Sequence, residues 1–338
     1  MKKILLASTA LVGFAGAAAA EVSLSGYAEI GISGGDGPGA AQFETQFHND
    51  WQVNFNFSGS TDSGLEFGGR VQIEESNSPS AINGGLVIDD ESFFVSGAFG
   101  KVTLGETDGA FDWALSEIYT GTSLTDDHST HAGAYWFTGL DGAYDNQIMR
   151  YEYSFGDFGV AISAEMDDDT ACTGPACDPV LGDGVTNDVN FAIGGKWAGS
   201  FQGVDVGVGA GYQDNGAISV WGLSGSAAFA MGVSVAVGYA DLDGIPDAVG
   251  NGVAVDSWWG IGVAYTPATM SALTVGVNYG EYDATVAGVP DPSGWGIVAN
   301  YDLGGGAVAM VGYGASDNGV SANGKGEDTW SAGLGLSF

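Results

Sequence analysis

The sequence predicts an all-β fold, a 16-stranded antiparallel transmembrane β-barrel with a long third loop folded into the lumen, and three observations carry that expectation. The last residues set apolar Trp330, Ala332, Leu334, Leu336 and Phe338 against Thr329, Ser331, Gly333, Gly335 and Ser337, and the chain stops on the aromatic. The rest of the chain alternates in the same way, one face apolar and nearly uncharged, the other small and polar. Finally, the connectors between alternating segments are short and long in turn, as antiparallel spanning strands require.

Each element follows in order. Lys2 and Lys3 precede an apolar run from Ile4 to Ala17, and Ala18, Ala19 and Ala20 give a small-residue site before Glu21, so residues 1–20 read as a secretory leader cleaved before Glu21. That run is too short to span a membrane as a helix. Residues 21–338 form one expected domain. In its first segment Val22, Leu24, Ala28, Ile30 and Ile32 share one face, and Ser23, Ser25, Tyr27 and Glu29 the other. Trp51, Val53, Phe55 and Phe57 then oppose Gln52, Asn54, Asn56 and Ser58; Leu65, Phe67, Val71 and Ile73 oppose Glu66, Gly68, Arg70, Gln72 and Glu74. The dyad recurs with Met149 to Phe155, with Val189, Phe191, Ile193 and Trp197, and with Val255, Trp259, Ile261, Val263 and Tyr265.

Short turns are expected at Gly156 to Gly159 and Gly199 to Gly203, and longer polar loops at Met166 to Asp188, Leu242 to Gly252, Asp283 to Ser293 and Ser316 to Glu327. Aromatics such as Trp221, Tyr239, Tyr279, Trp295 and Tyr313 stand at segment ends, where an apolar ring with a polar edge suits a lipid–water boundary. In hydrocarbon an unpaired amide costs several kcal/mol, so such a sheet must close on itself.

Composition excludes other classes. Aspartate and glutamate number 42 against 7 lysines and arginines, and loss of the leader would leave five basic residues, Arg70, Lys101, Arg150, Lys196 and Lys325. No nucleic-acid partner is expected, because phosphate would be repelled. A solubilised surface in a salty habitat is the plain alternative to a functional origin of this acidity. The 59 glycines disfavour helices, and the 45% hydrophobic content argues against disorder. Cys172 and Cys177 enclose Gly174 and Pro175; in an exported chain they are a candidate disulfide, with two free thiols as the alternative.

One connector is out of scale. Residues 106–145 carry Glu106, Asp108, Asp112, Glu117, Asp126 and Asp127 beside Phe111, Trp113, Tyr119, Tyr135, Trp136 and Phe137. A loop this long is functional or disordered, and its aromatics give it something to bury. It is expected to fold into the lumen as a constriction, its acids facing the opening.

With these motifs in place, the chain resembles the general porins of Gram-negative outer membranes, the alphaproteobacterial type above all, over essentially all of residues 21–338. VNFNFSGSTDSGLEFGGRVQIE (Val53 to Glu74), SGAFGKVTLGETDGAFDWAL (Ser96 to Leu115) and YDNQIMRYEYSFGDFGVAIS (Tyr144 to Ser163) carry the likeness, in that order, with the terminal Phe338. The resemblance implies an outer-membrane homotrimer of barrels, each a passive channel for small hydrophilic solutes, with loop acids facing a basic wall. This wall is depleted: Asn54 stands where the family often has a basic residue and Glu106 where it usually has arginine. The expected constriction set is Glu66, Arg70, Glu74, Glu106, Asp108, Asp112, Glu117, Asp126, Asp127 and Arg150, with Arg70 and Arg150 as the remaining positive side. Lys196 also faces inward by parity, with a structural pairing to an acid as the plainer role. Cation preference follows.

Two rivals belong to other classes. For an outer-membrane enzyme of lipid-hydrolase type the chain offers His48, His128, His131 and GISGG at Gly31 to Gly35, but that glycine motif is not followed by a helix. Loop histidines are expected to be solvated, and no metal ligand is assigned among them. A secreted calcium-binding β-protein could use Asp167, Asp168 and Asp169, with Asp178 and Asp183 nearby, although the spacing is not that of an EF-hand and solvated acidic loops are the simpler reading. No other cofactor is expected.

Overall fold

The computed structural model describes residues 21–36, 42–75, 86–131, 139–141, 144, 146–166, 189–216, 218–243, 254–285, 287–317 and 327–338, with backbone alone at 42–44. The leader, both cysteines, the aspartates at 167–169, 178 and 183, and Tyr135, Trp136 and Phe137 lie outside the described residues.

Sixteen strands make one closed antiparallel barrel in which each strand pairs with its neighbours in sequence. They are β1 (Glu21–Asp36), β2 (Gln42–Ser60), β3 (Glu66–Glu75), β4 (Leu86–Gly97), β5 (Gly100–Gly105), β6 (Ile148–Phe155), β7 (Phe158–Met166) and β8 (Val189–Phe201). The second half comprises β9 (Val204–Asp214), β10 (Ser219–Phe229), β11 (Val233–Asp243), β12 (Val255–Tyr265), β13 (Leu273–Ala284), β14 (Ser293–Gly304), β15 (Ala307–Asp317) and β16 (Glu327–Ser337). Closure comes from β1 against β16, with Tyr27 opposite Ser337. Two further backbone bonds extend the seam: Gly26 N–H donates to the Phe338 carbonyl at 3.1 Å, and Phe338 N–H to the Gly26 carbonyl at 2.9 Å. No edge is left on this sheet, which is the condition for a strand to sit in hydrocarbon.

The strand ends fall within a few residues of the sequence expectation, with two local differences. The turn after β8 is only Gln202–Gly203, both at positive φ (50° and 82°), so Gly199 to Phe201 remain in the strand. Val255 is buried rather than sharing the exposed face of Trp259 and Ile261, because the β12–β13 register slips between Val255 and Ser257. An extra residue in a strand reverses the alternation beyond it.

The outward face carries the apolar rows: Val160, Ile162, Ile193, Val208, Val263, Val277 and Val311 are all exposed. Around β9 to β16 an alternating belt runs Tyr212, Trp221, Tyr239, Trp259, Tyr279, Trp295, Tyr313, Trp330, one ring per strand. Within it Trp221–Tyr239, Trp259–Tyr279 and Trp295–Tyr313 have ring centroids 5.3, 5.5 and 5.2 Å apart. Tyr265 and Tyr301 stand six residues further along β12 and β14, about 20 Å by strand rise. Two aromatic levels enclosing a valine band are the outer surface of a spanning barrel.

The buried apolar residues are not at a common centre of the valine rows. Ala110, Phe111 and Ile118 pack with Val220, Leu242, Val255 and Trp258 on the opposite, covered side of the strands.

Candidate functional site

The segment between β5 and β6 builds the site. Its first turn is α1 (Ala110–Ala114), which exists because Ala110, Phe111 and Ala114 bury together while Asp112 and Trp113 stay half-covered. The turn is fixed at its start: Gly109 N–H donates to Asp141 Oδ2 at 2.6 Å, and Ala110 N–H to Ser163 Oγ of β7 at 2.8 Å. Further along, Ser116 N–H reaches Ser224 Oγ of β10 at 2.9 Å. The Asn300 side chain of β14 brackets Thr122, accepting from its N–H at 3.2 Å and donating to its carbonyl at 2.7 Å. Ser331 Oγ of β16 donates to Asp127 Oδ1 at 2.7 Å. On the return, Leu140 N–H meets Gln213 Oε1 at 2.7 Å, and Glu165 Oε1 accepts from the N–H groups of Tyr144 and Asn146 at 3.2 and 2.9 Å.

Every one of these wall partners lies on the side of its strand turned away from the exposed valines. Glycines make the close approach possible. The Ala110 carbonyl lies over Gly194, that of Ala114 over Gly209, that of Ile118 over Gly262, and that of His128 over Gly296, each in space a Cβ would fill. The Phe111 ring similarly covers Gly211 and Gly222.

The histidines of this segment are buried, not solvated. His131 sits between Ser316 Oγ (3.1 Å) and Thr329 Oγ1 (2.8 Å); His128 joins Ser123 Oγ (2.9 Å) and the Gly121 carbonyl (3.2 Å). Burial holds both imidazoles below their ordinary pKa, so they serve as neutral hydrogen-bonding anchors. Among the described residues no group of three or more His, Cys, Asp or Glu side chains is arranged to hold a metal ion.

The expected constriction residues fall into separate groups. Arg70, Glu74 and Glu106 share one network on β2 to β5. Arg70 donates through Nε to Asn54 Oδ1 at 2.7 Å, donates to the Gln72 side chain, and pairs with Asp90 at 2.9 Å; Gln72 donates to Glu74 at 2.8 Å. Glu106 accepts from the Asp90 N–H at 2.9 Å and from the Asn146 side chain. Arg150 and Asp108 form a second group, the guanidinium donating to the Asp108 carbonyl and, through Nε, to Glu152 at 3.1 Å. Asp126 and Asp127 lie elsewhere again, against β1, β15 and β16. Glu66 is exposed beside the β2–β3 turn, away from the others.

The expected constriction set did not include Asp90, Asp141 or Glu152, although parity put Glu152 on the same inward face as Arg150. Asp90 sits at a positive-φ bulge where the β3–β4 register shifts, which hides the face of Asp89 to Glu91 from any period-two reading. Asp141 has no periodic context, and its role depends on Gln213, whose Nε2 donates to it at 2.7 Å.

Crowding of acids is severe around α1. Burial, then Asp108, Asp141 and Glu117, push the Asp112 carboxyl up to about 8. Burial pushes Asp141 up to about 6, and burial followed by Glu29 does the same for Asp126. Glu117 is raised as well, chiefly by burial. Each of these carboxyls therefore holds its proton to a higher pH than a free one.

Comparison with known proteins agrees with this architecture. The Gram-negative porin family model matches residues 7–321. A porin from Rhodobacter capsulatus is 37% identical over 147 residues, which is 42% of this chain and 44% of that protein, so the aligned stretch spans under half of the relative. A porin structure refined at 1.8 Å is similar over 94% of this chain and all of its own, with 26% identity and a TM-score of 0.64. A variant of the Rhodopseudomonas blastica porin has 19% identity, a TM-score of 0.64 and the same coverage, and likens the fold alone. A sixteen-strand closed barrel with an apolar exterior and a family match over nearly its whole length establishes that the chain belongs to the Gram-negative porins, the non-enzymatic barrel channels of the outer membrane.

Proposed function

We propose that the protein is a passive, cation-preferring diffusion channel for small hydrophilic solutes and ions, with residues 106–145 folded into the lumen as its constriction. The observation that carries the reading is the distribution of charge. Each described basic side chain already has an acidic or carbonyl partner: Arg70 has Asp90, Lys101 and Arg150 have Glu152, and Lys196 has the Trp113 carbonyl. The acids outnumber them, and Asp108 stands open, its side chain 63% exposed. A water-filled passage with low-dielectric walls focuses that surplus, so cations enrich and anions are excluded, less strongly as salt rises. Solute size is set by how far the loop stands off the wall.

The reversal potential of purified protein in a planar bilayer under a KCl gradient tests the reading. Cation preference that weakens at high salt is the expected result; anion preference overturns the charge argument and leaves the barrel intact. The same proposal includes a leader of residues 1–20 removed before Glu21, read out by N-terminal sequencing of the mature protein. It also includes a homotrimer. The outer surface of β1 to β5, where Leu24, Phe67, Phe93 and Leu104 are exposed, lies outside the Tyr–Trp belt and is the surface assigned to contact between copies. Cross-linking in detergent gives the copy number.

A further inference from the structure

The basic residues beside the constriction do different work. Arg150 is 6% exposed, so its guanidinium is shielded from anything passing through the barrel. Its contacts point at the incoming loop: Nη1 donates to the Asp108 carbonyl and lies 3.9 Å from the Asp108 carboxylate, while Nε is held by Glu152 at 3.1 Å. Lys196 reaches the same stretch from two strands away. Its Nζ donates to the Trp113 carbonyl at 2.7 Å and stands 3.7 Å from the centroid of the Trp113 ring. One cation therefore grips each end of the six residues Asp108 to Trp113, and both bind a main-chain carbonyl that no side-chain substitution removes. Arg70 differs. Its side chain is 40% exposed, and its partners Asn54, Gln72 and Asp90 all belong to the wall.

We propose that Arg150 and Lys196 are positioning residues that clamp the first turn of the constriction loop to the wall and so set the aperture, leaving Arg70, of the two arginines in the expected constriction set, as the one that permeating ions meet. The inference rests on the channel reading above. A charge-assisted hydrogen bond to a backbone carbonyl fixes the loop's height as well as its charge balance, and Arg at such a bidentate position is not equivalent to Lys. Loss of either clamp lets α1 swing toward the barrel axis. The aperture narrows and fluctuates, whatever the charge of the solute.

Uncharged polyethylene glycols of graded size separate aperture from charge, because their partitioning into the pore does not respond to the field. Single-channel recordings are made on wild type, Arg150→Lys, Lys196→Gln and Arg70→Gln. Arg150→Lys and Lys196→Gln are expected to lower the size limit for the neutral polymers and to raise loop-detachment events about tenfold, the scale of one lost charge-assisted hydrogen bond. Arg150→Lys keeps the wild-type reversal potential. Arg70→Gln keeps the polymer limit and raises the cation-to-anion permeability ratio. The proposal is overturned if Arg150→Lys and Lys196→Gln match wild type in polymer limit and noise, or if Arg70→Gln alone alters them. Lys196 is exposed, so its variant assembles even if an Arg150 variant does not. Wild-type protein that forms no channel at all refutes the channel reading instead.

Discussion

Replacing Gly262 with alanine puts the loop geometry to its hardest test. Gly262 faces inward on β12, and the Ile118 carbonyl oxygen fills the space its Cβ would take. Restoring an ordinary carbon–oxygen contact of about 3.3 Å requires the loop backbone to retreat by roughly 1.5–2 Å toward the lumen. The wall cannot yield instead, because Gly262 is paired on both sides, to Ala236 and Asn278. Overpacking of this kind costs about 1–3 kcal/mol, a factor of roughly 5 to 150 in the ratio of seated to unseated loop. Strand pairing is untouched, so the far-ultraviolet circular dichroism and the outer-membrane yield of Gly262→Ala should equal wild type. Single-channel conductance and the rate of sugar entry into swelling proteoliposomes should both fall. Gly195→Ala is the control, since its Cβ would meet nothing closer than the Gly159 carbonyl oxygen at 3.8 Å. If Gly262→Ala conducts and sieves as wild type does, the loop does not border the passage and the reasoning fails.

Selectivity should follow pH in two steps. Asp112, pushed up to about 8, and Asp126 and Asp141, pushed up to about 6, are neutral below those values and negative above them, so cation preference falls as pH drops first through 8 and then through 6; a flat reversal potential across that range counts against the placement of these acids. His131→Ala leaves the Ser316 and Thr329 hydroxyls without their ring partner, at a cost of about 1–3 kcal/mol, and hydrogen exchange should quicken around residues 123–131 while the strands stay protected. Buried neutral imidazoles bind protons less readily than free ones, so the same loop tip should loosen in the wild type as pH falls below about 6.5. Deleting Phe338 removes both backbone bonds to Gly26 at the closing seam, and the yield of heat-resistant barrel on gels should drop.

The barrel was legible because its signal is local and repeated. Trp330 to Phe338, Val233 to Tyr239 and Leu273 to Tyr279 each show their face within a few residues, and a spanning strand has lipid on one side and polar lumen on the other throughout. The period fails where a strand bulges, which is why alternation put Val255 on the wrong face and gave no face to the acids Asp89 to Glu91. Much of the site was hidden for a different reason. Its anchors are contacts between residues far apart in sequence, such as Asp127 with Ser331 or Ser116 with Ser224, and no pattern along the chain announces them. Glycine is ambiguous in the same way: Gly194 and Gly195 are adjacent and identical in letter, yet one receives the Ala110 carbonyl and the other faces outward.

The anchors also explain how so acidic a loop can be held against an acidic wall. Carboxylate-to-carboxylate contact would repel, and the elevated Asp112 shows how close to that limit the crowding runs. The loop is instead attached largely by its backbone. Its carbonyls settle over wall glycines and into the grip of Arg150, Lys196 and Asn300, while its N–H groups are taken by Ser163, Ser224 and Gln213. Backbone dipoles carry no net charge, so attachment through them adds no contact between like charges of loop and wall. On the channel reading proposed above, the arrangement separates two properties that one set of ion pairs would have tied together: the seat of the loop, which would fix size, and the sign of the opening, which would fix preference. A substitution at Asp108 or Glu117 can therefore alter which ions pass without moving the loop, and one at Gly209 or Gly296 can move the loop without altering the charge.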